Sequence, residues 1–348
     1  MAIHGRIMKI PNLPMLEFIL KSYHHFNAAA LKNALLDYHR HIRQGGKMFW
    51  AVAGAMSSAR LGIYLAPAIR KGLIHGISVT GANLEESLFR LVAHSHYKNF
   101  YDYRYLRKED DETILNNHQR RVTDTSIPED EAFRKVEKLI VPMWQRAHAN
   151  GERRFWHEYF YELITNPALK DEYEGKPEEC WLLAAAEMNL PLIVGGYADS
   201  TFGNIFASYC HTGELSAGIA KSDIEYMSGF YDIYRRQLSP GAGVGFFQIG
   251  GGIAGDFPIC VVPSIKYDLQ EEAKPWAYFC QISDSTTSYG SYSGATPNEK
   301  ITWDKLTKDT PMHVIESDAT IVAPLMLQAL LEALEYPEEA ERLLQQAF

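Results

Sequence analysis

Six short apolar runs, each ending in small residues, constrain the fold of this chain more than any other feature. Each run has about the length of a strand and is apolar throughout instead of alternating, which is typical of strands buried on both faces of a parallel sheet. The runs are MFWAVAG from Met48, GISVTGA from Gly76, LPLIVGG from Leu190, GVGFFQIGGG from Gly243, WAYFCQIS from Trp276 and MHVIESDA from Met312. Helical patterns alternate with them, which predicts an α/β fold with a doubly wound, mostly parallel sheet.

The segment from about Tyr101 to Asn189 interrupts this alternation. It is rich in charged and aromatic residues and has few apolar runs, so we expect a helical insertion, about 101–189, that covers the sheet within a single domain of residues 1–348. Inside the segment, Ser126 is followed by Pro128 and Glu129. This spacing predicts a helix that begins there with the serine as its N-cap.

Charge and composition exclude several classes of protein. The formal net charge of −9 argues against nucleic-acid binding, and the same negative field would attract polyamine cations. The first residues carry prolines and charges where a signal peptide needs an apolar core, and we expect no membrane span. Four scattered cysteines are typical of a cytoplasmic protein. Six of the thirteen histidines form three close pairs, and a metal site needs three or four converging ligands, so we expect no metal.

The stretch IGGGIAG, from Ile249 to Gly255, follows the fourth run. Consecutive glycines let a backbone approach a ligand closely, and their N–H groups suit a pyrophosphate. The stretch lacks the spacing of the usual dinucleotide fingerprint. A nucleotide-binding turn and a tight structural turn are therefore both open.

Polar residues follow three other runs, and each has two interpretations. In AMSSA, Ser57 could cap a helix or bind phosphate. In VTGANLEE, Glu85 and Glu86 could favour a helix dipole or hold ribose hydroxyls. In ESDAT, Asp318 could be an N-cap or a ribose-binding acid. Because parallel strands end at one edge of a sheet, these turns are the natural place for a ligand.

The stretch SGATPNEKITWDKL, from Ser293 to Leu306, brings a glutamate, a tryptophan and a lysine close together. A lysine in a dry pocket can be a neutral nucleophile towards an imine. Trp303 offers an aromatic face to an organic cation, and Glu299 offers a counter-charge. The alternative is an exposed Lys305 without chemistry, which is the commoner situation for lysines.

Together these segments resemble the deoxyhypusine synthase family. SGATPNEKITWDKL followed by VIESDATIVAPLM is similar to the family's C-terminal signature, and MFWAVAGAMSSA, VTGANLEE, LIVGGYADSTFGN and IGGGIAG occur in the family's order. The resemblance implies a Rossmann-like domain that binds NAD and forms homotetramers with active sites at subunit interfaces. It also implies transfer of an aminobutyl group from spermidine, through a lysine imine, to an acceptor amine. The acceptor is a translation-factor lysine or, in homospermidine synthase, putrescine.

The same resemblance implies roles for individual residues. Lys305 corresponds to the imine-forming lysine, and Glu299 and Trp303 correspond to residues of the polyamine pocket. The positions that correspond to NAD contacts are Ser57, Thr80, Glu85, Glu86, Asp199, Gly251, Gly252, Asp318 and Ala319.

Four positions depart from the family's pattern. Asp256 stands where the family has a histidine that assists proton transfer, and Cys260 stands where it has an asparagine. Tyr292 and Asn204 stand where it has pocket acids. Asp256 could take over the proton transfer if it is buried. The pattern implies a deoxyhypusine synthase-like protein with a changed polyamine pocket.

We therefore expect an NAD-dependent transferase that moves an aminoalkyl group from a polyamine to an acceptor amine through Lys305. The acceptor is expected to be a small polyamine, as in homospermidine synthesis. One alternative is a true deoxyhypusine synthase that acts on a translation-factor lysine. The other is a non-catalytic relative that binds NAD, which the loss of the histidine favours and the retention of Lys305 opposes.

Overall fold

Six parallel strands form the central sheet of the computed structural model, which describes residues 13–285 and 295–346. All six predicted apolar runs supply a strand of this sheet. Three more strands form a small separate sheet. The strands are β1 (Lys47–Val52), β2 (Gly76–Val79), β3 (Lys98–Asn99), β4 (Gln119–Val122), β5 (Thr125–Pro128), β6 (Leu192–Val194), β7 (Val244–Ile249), β8 (Tyr278–Ser283) and β9 (Met312–Glu316).

Helices connect and cover the strands. They are α1 (Pro14–Ser22), α2 (Phe26–Arg43), α3 (Gly62–Arg70), α4 (Gly81–Val92), α5 (Lys108–Asn116), α6 (Lys135–Asn150), α7 (Trp156–Thr165), α8 (Pro167–Lys170), α9 (Trp181–Glu187), α10 (Thr201–His211), α11 (Asp223–Asp232), α12 (Ile253–Ile259), α13 (Val261–Pro263), α14 (Glu299–Thr302), α15 (Ala319–Glu335) and α16 (Pro337–Gln346). No single helix of the described chain is long and apolar enough to cross a membrane, although α15 and α16 would pass as one pair bent by 116°.

The strand order of the central sheet is β6-β2-β1-β7-β8-β9. The chain begins in the middle with β1, moves outwards through β2 to β6, returns to the middle with β7, and moves outwards the other way. The order reverses between β1 and β7, which pair in parallel from Lys47↔Val244 to Val52↔Ile249. This is the Rossmann order, and ligands of such sheets bind in the crevice at the reversal, outside the carboxyl ends of the strands.

Aromatic side chains cover both faces of the sheet. On one face, Trp50 stacks on Phe247 with ring centroids 4.1 Å apart, and its indole N–H donates to the Tyr38 hydroxyl of α2. On the other face, Phe49, Phe246 and Phe279 form a row across β1, β7 and β8. Both faces are therefore buried, which confirms the predicted doubly wound α/β sheet.

The region 101–189 contains α5 to α9, but its predicted helix start at Ser126 is wrong. Ser126 lies in β5, which pairs antiparallel with β4 and β3. Its hydroxyl donates to Gln119 Oε1 across the β4–β5 pair at 2.6 Å, so it satisfies a strand partner instead of capping a helix. The chain turns helical only after Pro128, first in a π-helical segment, Glu129–Arg134, and then in α6.

Candidate active site

The loop that follows β1 is held in place by Asn83 of α4. The Asn83 amide nitrogen donates to the carbonyls of Val52 and Gly54 at 3.1 and 2.8 Å, and its oxygen accepts from Ser57 N at 2.9 Å. Asn83 is 1% exposed. The Ser57 hydroxyl donates to Asn83 O and accepts from the Trp181 indole N–H, so it stabilises this loop.

The glycine turn after β7 lies beside this loop, across the reversal of strand order. Gly250 and Gly252 both have positive φ, at 71° and 63°, a region that glycine adopts without strain. The side-chain amides of Gln248 and Gln281 both donate to Gly250 O, at 3.0 and 2.9 Å. A Cβ at Gly252 would meet no atom within 4 Å, so this turn presents bare backbone to open space. Gly251 is buried.

The two predicted acids of α4 make contacts inside the protein. The carboxylate of Glu85 accepts from the backbone N–H groups of Thr201 and Phe202, at 2.8 and 2.9 Å, and so caps α10. Burial raises the pKa of Glu85 to about 7, against the lowering effect of these two N–H groups. Glu86 accepts a hydrogen bond from the Ser58 hydroxyl, and burial also raises the pKa of Glu86.

The remaining predicted NAD positions lie at the ends of β2, β6 and β9. Thr80 is the N-cap of α4, and its hydroxyl donates to Gly54 O at 3.2 Å. Asp199 is exposed after β6. Asp318 is the N-cap of α15 and accepts from Thr320 N at 2.7 Å, and Ala319 is buried at the start of that helix. For Asp318 this is the helix-cap interpretation that the sequence left open.

A cavity of about 530 Å³ lies between the loop after β1 and the start of α15. Ser58 and Arg60 of the β1 loop contribute to its lining, as do Asp318 and Thr320 at the start of α15. Arg90 lines it as well, with its guanidinium carbon 3.6 Å from the ring centroid of Tyr97. The chain therefore brings the ends of β1 and β9 to one cavity, although these strands are not neighbours in the sheet.

The lysine segment is anchored at the other end of β8. Trp276 N, just before β8, donates to Lys305 O at 3.0 Å. The Lys305 amine lies 5.7 Å from the ring centroid of Trp303, which is 65% exposed. Glu299 begins α14 and is exposed. The structure thus groups Lys305 with Trp303, and it holds the Lys305 backbone away from the glycine turn at the carboxyl edge.

Asp304, next to Lys305, has a strained backbone. Its φ of 55° lies in the left-handed region that non-glycine residues rarely adopt. Its carboxylate pairs with the Lys266 amine at 2.8 Å and accepts from the Tyr267 hydroxyl at 3.2 Å. Backbone strain of this kind persists where surrounding contacts hold the residue in place. The fixed backbone of Asp304 in turn sets the direction in which the Lys305 side chain leaves the backbone.

Lys300 is a residue of this region that the sequence did not reveal. It is 7% exposed, and its amine lies 5.0 Å from the ring centroid of Phe279, at the end of the aromatic row. Burial lowers its pKa, and so does the charge of Lys305, whereas Asp256 and Glu299 raise it. No local sequence pattern distinguishes Lys300 from other lysines, most of which are exposed.

The remaining predicted residues of the site are the catalytic candidate Asp256 and the substrate candidates Asn204 and Tyr292. Asp256, on α12, is exposed, so the burial that its proton-transfer role requires is not provided by the described chain. Asn204, in the first turn of α10, is exposed, and its amide donates to Ser200 O at 2.8 Å. Tyr292 lies outside the described residues. Within 13–285 and 295–346, no three His, Cys, Asp or Glu side chains are grouped as metal ligands.

Comparison with known proteins identifies the family. The deoxyhypusine synthase family model matches residues 19–330. A deoxyhypusine synthase-like protein of Thermosynechococcus vestitus is 28% identical over 325 residues, which cover 90% of this chain and 78% of that protein. A probable deoxyhypusine synthase of Sulfurisphaera tokodaii is 24% identical over 313 residues, covering 90% and 91%.

A solved structure has the same fold. It is a crystal structure provisionally named as a deoxyhypusine synthase of Entamoeba histolytica, with a TM-score of 0.52, 10% sequence identity, and coverage of 89% of this chain and 90% of that one. At this identity the likeness concerns the fold alone. Because the family model spans most of the sequence, the chain belongs to the deoxyhypusine synthase family.

Proposed function

We propose that this protein is an NAD-dependent transferase that moves an aminoalkyl group from a polyamine to a small acceptor amine. Membership of the deoxyhypusine synthase family supports the reaction class. The single observation that carries the proposal is the placement of Lys305, half-buried beside Trp303 and fixed by the strained, ion-paired Asp304. A held lysine with an aromatic face beside it suits covalent capture of an alkylamine.

The residues at the reversal of strand order fit NAD. The bare backbone of Gly252 admits close approach of a pyrophosphate, and Arg60 and Arg90 add positive charge to the cavity between the ends of β1 and β9. Asp318 would accept from ribose hydroxyls. Ser57, Thr80 and Glu85 would act indirectly, because their polar atoms hold the β1 loop and α10. When bound, NAD would take up a hydride from the carbon beside the donor's amine and later return it.

The chain's own residues supply the rest of the reaction. The amine of Lys305 would add to the oxidised carbon, and the donor nitrogen already bonded to that carbon would leave with its electron pair and a proton. This forms a carbon–nitrogen double bond to Lys305. The acceptor amine then adds to the same carbon and displaces Lys305. Trp303 would cover the carbon chain, and Glu299 would pair with a substrate ammonium.

The same proposal includes assembly as a cytoplasmic homotetramer. Ile253, which follows the glycine turn, is 47% exposed, and Tyr267, which donates to Asp304, is 66% exposed, as is Trp303 at 65%. Apolar side chains exposed around a site are expected to be covered by a partner. A second copy of the chain would exclude water from Lys305, and the glycine turn of that copy would bring NAD to it, because the turn of the same chain lies at the opposite edge of the sheet.

A binding protein without catalysis is the second candidate. The exposure of Asp256 favours it, because the described chain then offers no buried group in place of the family's proton-carrying histidine. A true deoxyhypusine synthase would instead modify a translation-factor lysine with spermidine as donor.

Borohydride trapping distinguishes these functions. The protein is incubated with NAD and putrescine or spermidine, reduced, and digested for mass spectrometry. We expect an aminoalkyl adduct on Lys305 that depends on NAD and is lost in Lys305→Ala and Lys305→Arg, since arginine stays protonated. Lys308→Ala, an exposed neighbour, is the matched control and should keep the adduct. No adduct on Lys305 with any amine would exclude the transferase.

A further inference from the structure

Two buried glutamines contact the glycine turn after β7. Gln248 of β7 and Gln281 of β8 are paired in the sheet, and they are 1% and 5% exposed. Their amide nitrogens donate to the same backbone oxygen, Gly250 O, at 3.0 and 2.9 Å. A carbonyl oxygen has two lone pairs, so these two donors satisfy it. The Gly250 N–H donates to Ile282 O at 2.8 Å, so both polar groups of Gly250 are held.

Consecutive glycines do not fix their own backbone conformation. Gly250, Gly251 and Gly252 have no side chains that restrict rotation, and glycine loses more conformational freedom on ordering than any other residue. The two glutamines compensate for this, because they hold the peptide group that joins Gly250 to Gly251. No peptide bond of the described chain is cis, so the N–H of this peptide points opposite to its carbonyl. The Gly251 N–H therefore points away from the two glutamines.

The N–H groups of Gly251 and Gly252 are free to bind a ligand. Within residues 13–285 and 295–346, no backbone or side-chain group accepts a hydrogen bond from either of them. Gly251 is buried, where an N–H without an acceptor is costly. A Cβ at Gly252 would meet no atom within 4 Å, so open space borders the turn. An anionic group that enters this space would satisfy these donors.

The contribution of Gln248 to stability does not account for its presence. Its Oε1 is buried and has no hydrogen-bond donor in the part of the chain that the structure describes. The lack of a side chain at Gly255 lets α12 pack directly on this amide, since a Cβ there would lie 2.6 Å from Gln248 Cδ. A buried acceptor without a partner costs about as much free energy as a hydrogen bond contributes. An apolar side chain of similar size would therefore stabilise the folded protein about equally well.

We propose that Gln248 and Gln281 are positioning residues for NAD: together they hold the Gly250 carbonyl so that the Gly251 N–H donates to the pyrophosphate. This inference rests on the proposed function, because it concerns the NAD site. In this role the two side chains act through the backbone and do not touch the cofactor. A donor that is already oriented loses no conformational freedom when the ligand binds, so the glutamines strengthen binding of the phosphates and of no other part of NAD.

The test compares ligands with and without phosphates. NAD and ADP are titrated by calorimetry into the full-length protein, into Gln248→Leu, into Gln281→Leu and into the double variant. Binding of adenosine is followed by saturation-transfer NMR, which detects weak ligands. Leucine is close to glutamine in size and has no donor. Gln119→Leu is the matched control, because Gln119 is also a buried strand glutamine and its side chain accepts one hydrogen bond, from Ser126.

We expect each single variant to bind NAD and ADP about fivefold more weakly, as for the loss of one hydrogen bond. The double variant should lose more than the product, about twenty-fivefold, because in each single variant the remaining amide still holds the carbonyl. Adenosine should bind all proteins equally, and Gln119→Leu should bind NAD like the native protein. Urea denaturation without NAD should show little change for Gln248→Leu, whereas a merely structural role would lower the free energy of unfolding.

Two results would overturn the inference. One is an unchanged NAD affinity in the double variant, or in both single variants if the double variant does not fold. The other is a loss of adenosine affinity equal to the loss of NAD affinity, which would show a general distortion of the site. If the native protein binds no NAD, the proposed function fails and this inference fails with it. If the native protein binds NAD and the variants bind it equally well, only the inference fails.

Discussion

Asp304 links the backbone around Lys305 to the rest of the protein. It adopts φ of 55° and is held by Lys266 and Tyr267, which lie on a π-helical segment, Ser264–Asp268, after α13. A residue in this conformation costs about 1 kcal/mol or more, and the ion pair and hydrogen bond offset that cost. The side-chain contacts and the backbone conformation of Asp304 therefore make separable contributions to the free energy of unfolding.

We expect Asp304→Ala to lower the free energy of unfolding by about 1–2 kcal/mol, because alanine loses both contacts and keeps the strain. Asp304→Gly loses the same contacts but relieves the strain, so its loss should be smaller. Urea denaturation measures both. Equal losses for the two variants would show that backbone strain is not involved.

At the scale of elements, Asn83 joins α4 to the loop after β1. Asn83→Ala would leave Ser57 N and the Val52 carbonyl without their side-chain partner in a buried loop, and the Gly54 carbonyl would keep only the Thr80 hydroxyl. We expect a loss of about 3 kcal/mol in the free energy of unfolding, measured by urea denaturation. Asn204→Ala is the control, since Asn204 is exposed and makes one local hydrogen bond, and it should cost much less. Similar losses for both variants would contradict the role of Asn83.

The strands of the central sheet were predictable because both faces are buried. Their sequences are apolar throughout, and that pattern does not depend on which strands become neighbours. Ser126 was misassigned because its local spacing suits a helix start, whereas pairing of β5 with β3 and β4 decides its structure. Local sequence does not report on partners distant in the chain.

The candidate site was predictable only in part, for the same reason. Glycine turns and the lysine segment are visible locally. Two sets of hydrogen bonds join segments that are distant in sequence: Glu85 caps α10, and Asn83 holds the loop after β1. Lys300 was not predictable, because its burial arises only when α14 packs against β8.

For the whole molecule, the reversal of strand order predicts where NAD binds, and this binding should raise the free energy of unfolding. A ligand that binds only the folded state raises the free energy of unfolding by about 2.7 kcal/mol at a hundredfold excess over its dissociation constant. We expect thermal unfolding to move upwards accordingly with NAD. The absence of any rise at millimolar NAD would contradict NAD binding.

Two glycine variants test whether the stabilisation by NAD arises at the glycine turn after β7. Gly252→Ala and Gly72→Ala both force alanine into positive φ, at 63° and 73°, and both place Cβ where no atom lies within 4 Å. Their stability losses without NAD should therefore be similar. Only Gly252→Ala should lose the increase in unfolding temperature that NAD produces, because its methyl group would occupy the space of the ligand. A normal rise in Gly252→Ala would place NAD elsewhere.

The pairing of β1 with β7 also has a consequence for how the protein is made. Lys47 and Val244 are neighbours in the sheet, although most of the chain lies between them. During synthesis, β1 leaves the ribosome long before β7 and has an unpaired edge until β7 arrives. Pairing of strands so distant in sequence is slow, and an uncovered apolar edge is prone to aggregation. The crevice therefore exists only in chains that have completed folding, and we expect recombinant yield to depend on chaperone supply more than on the stability of the finished protein.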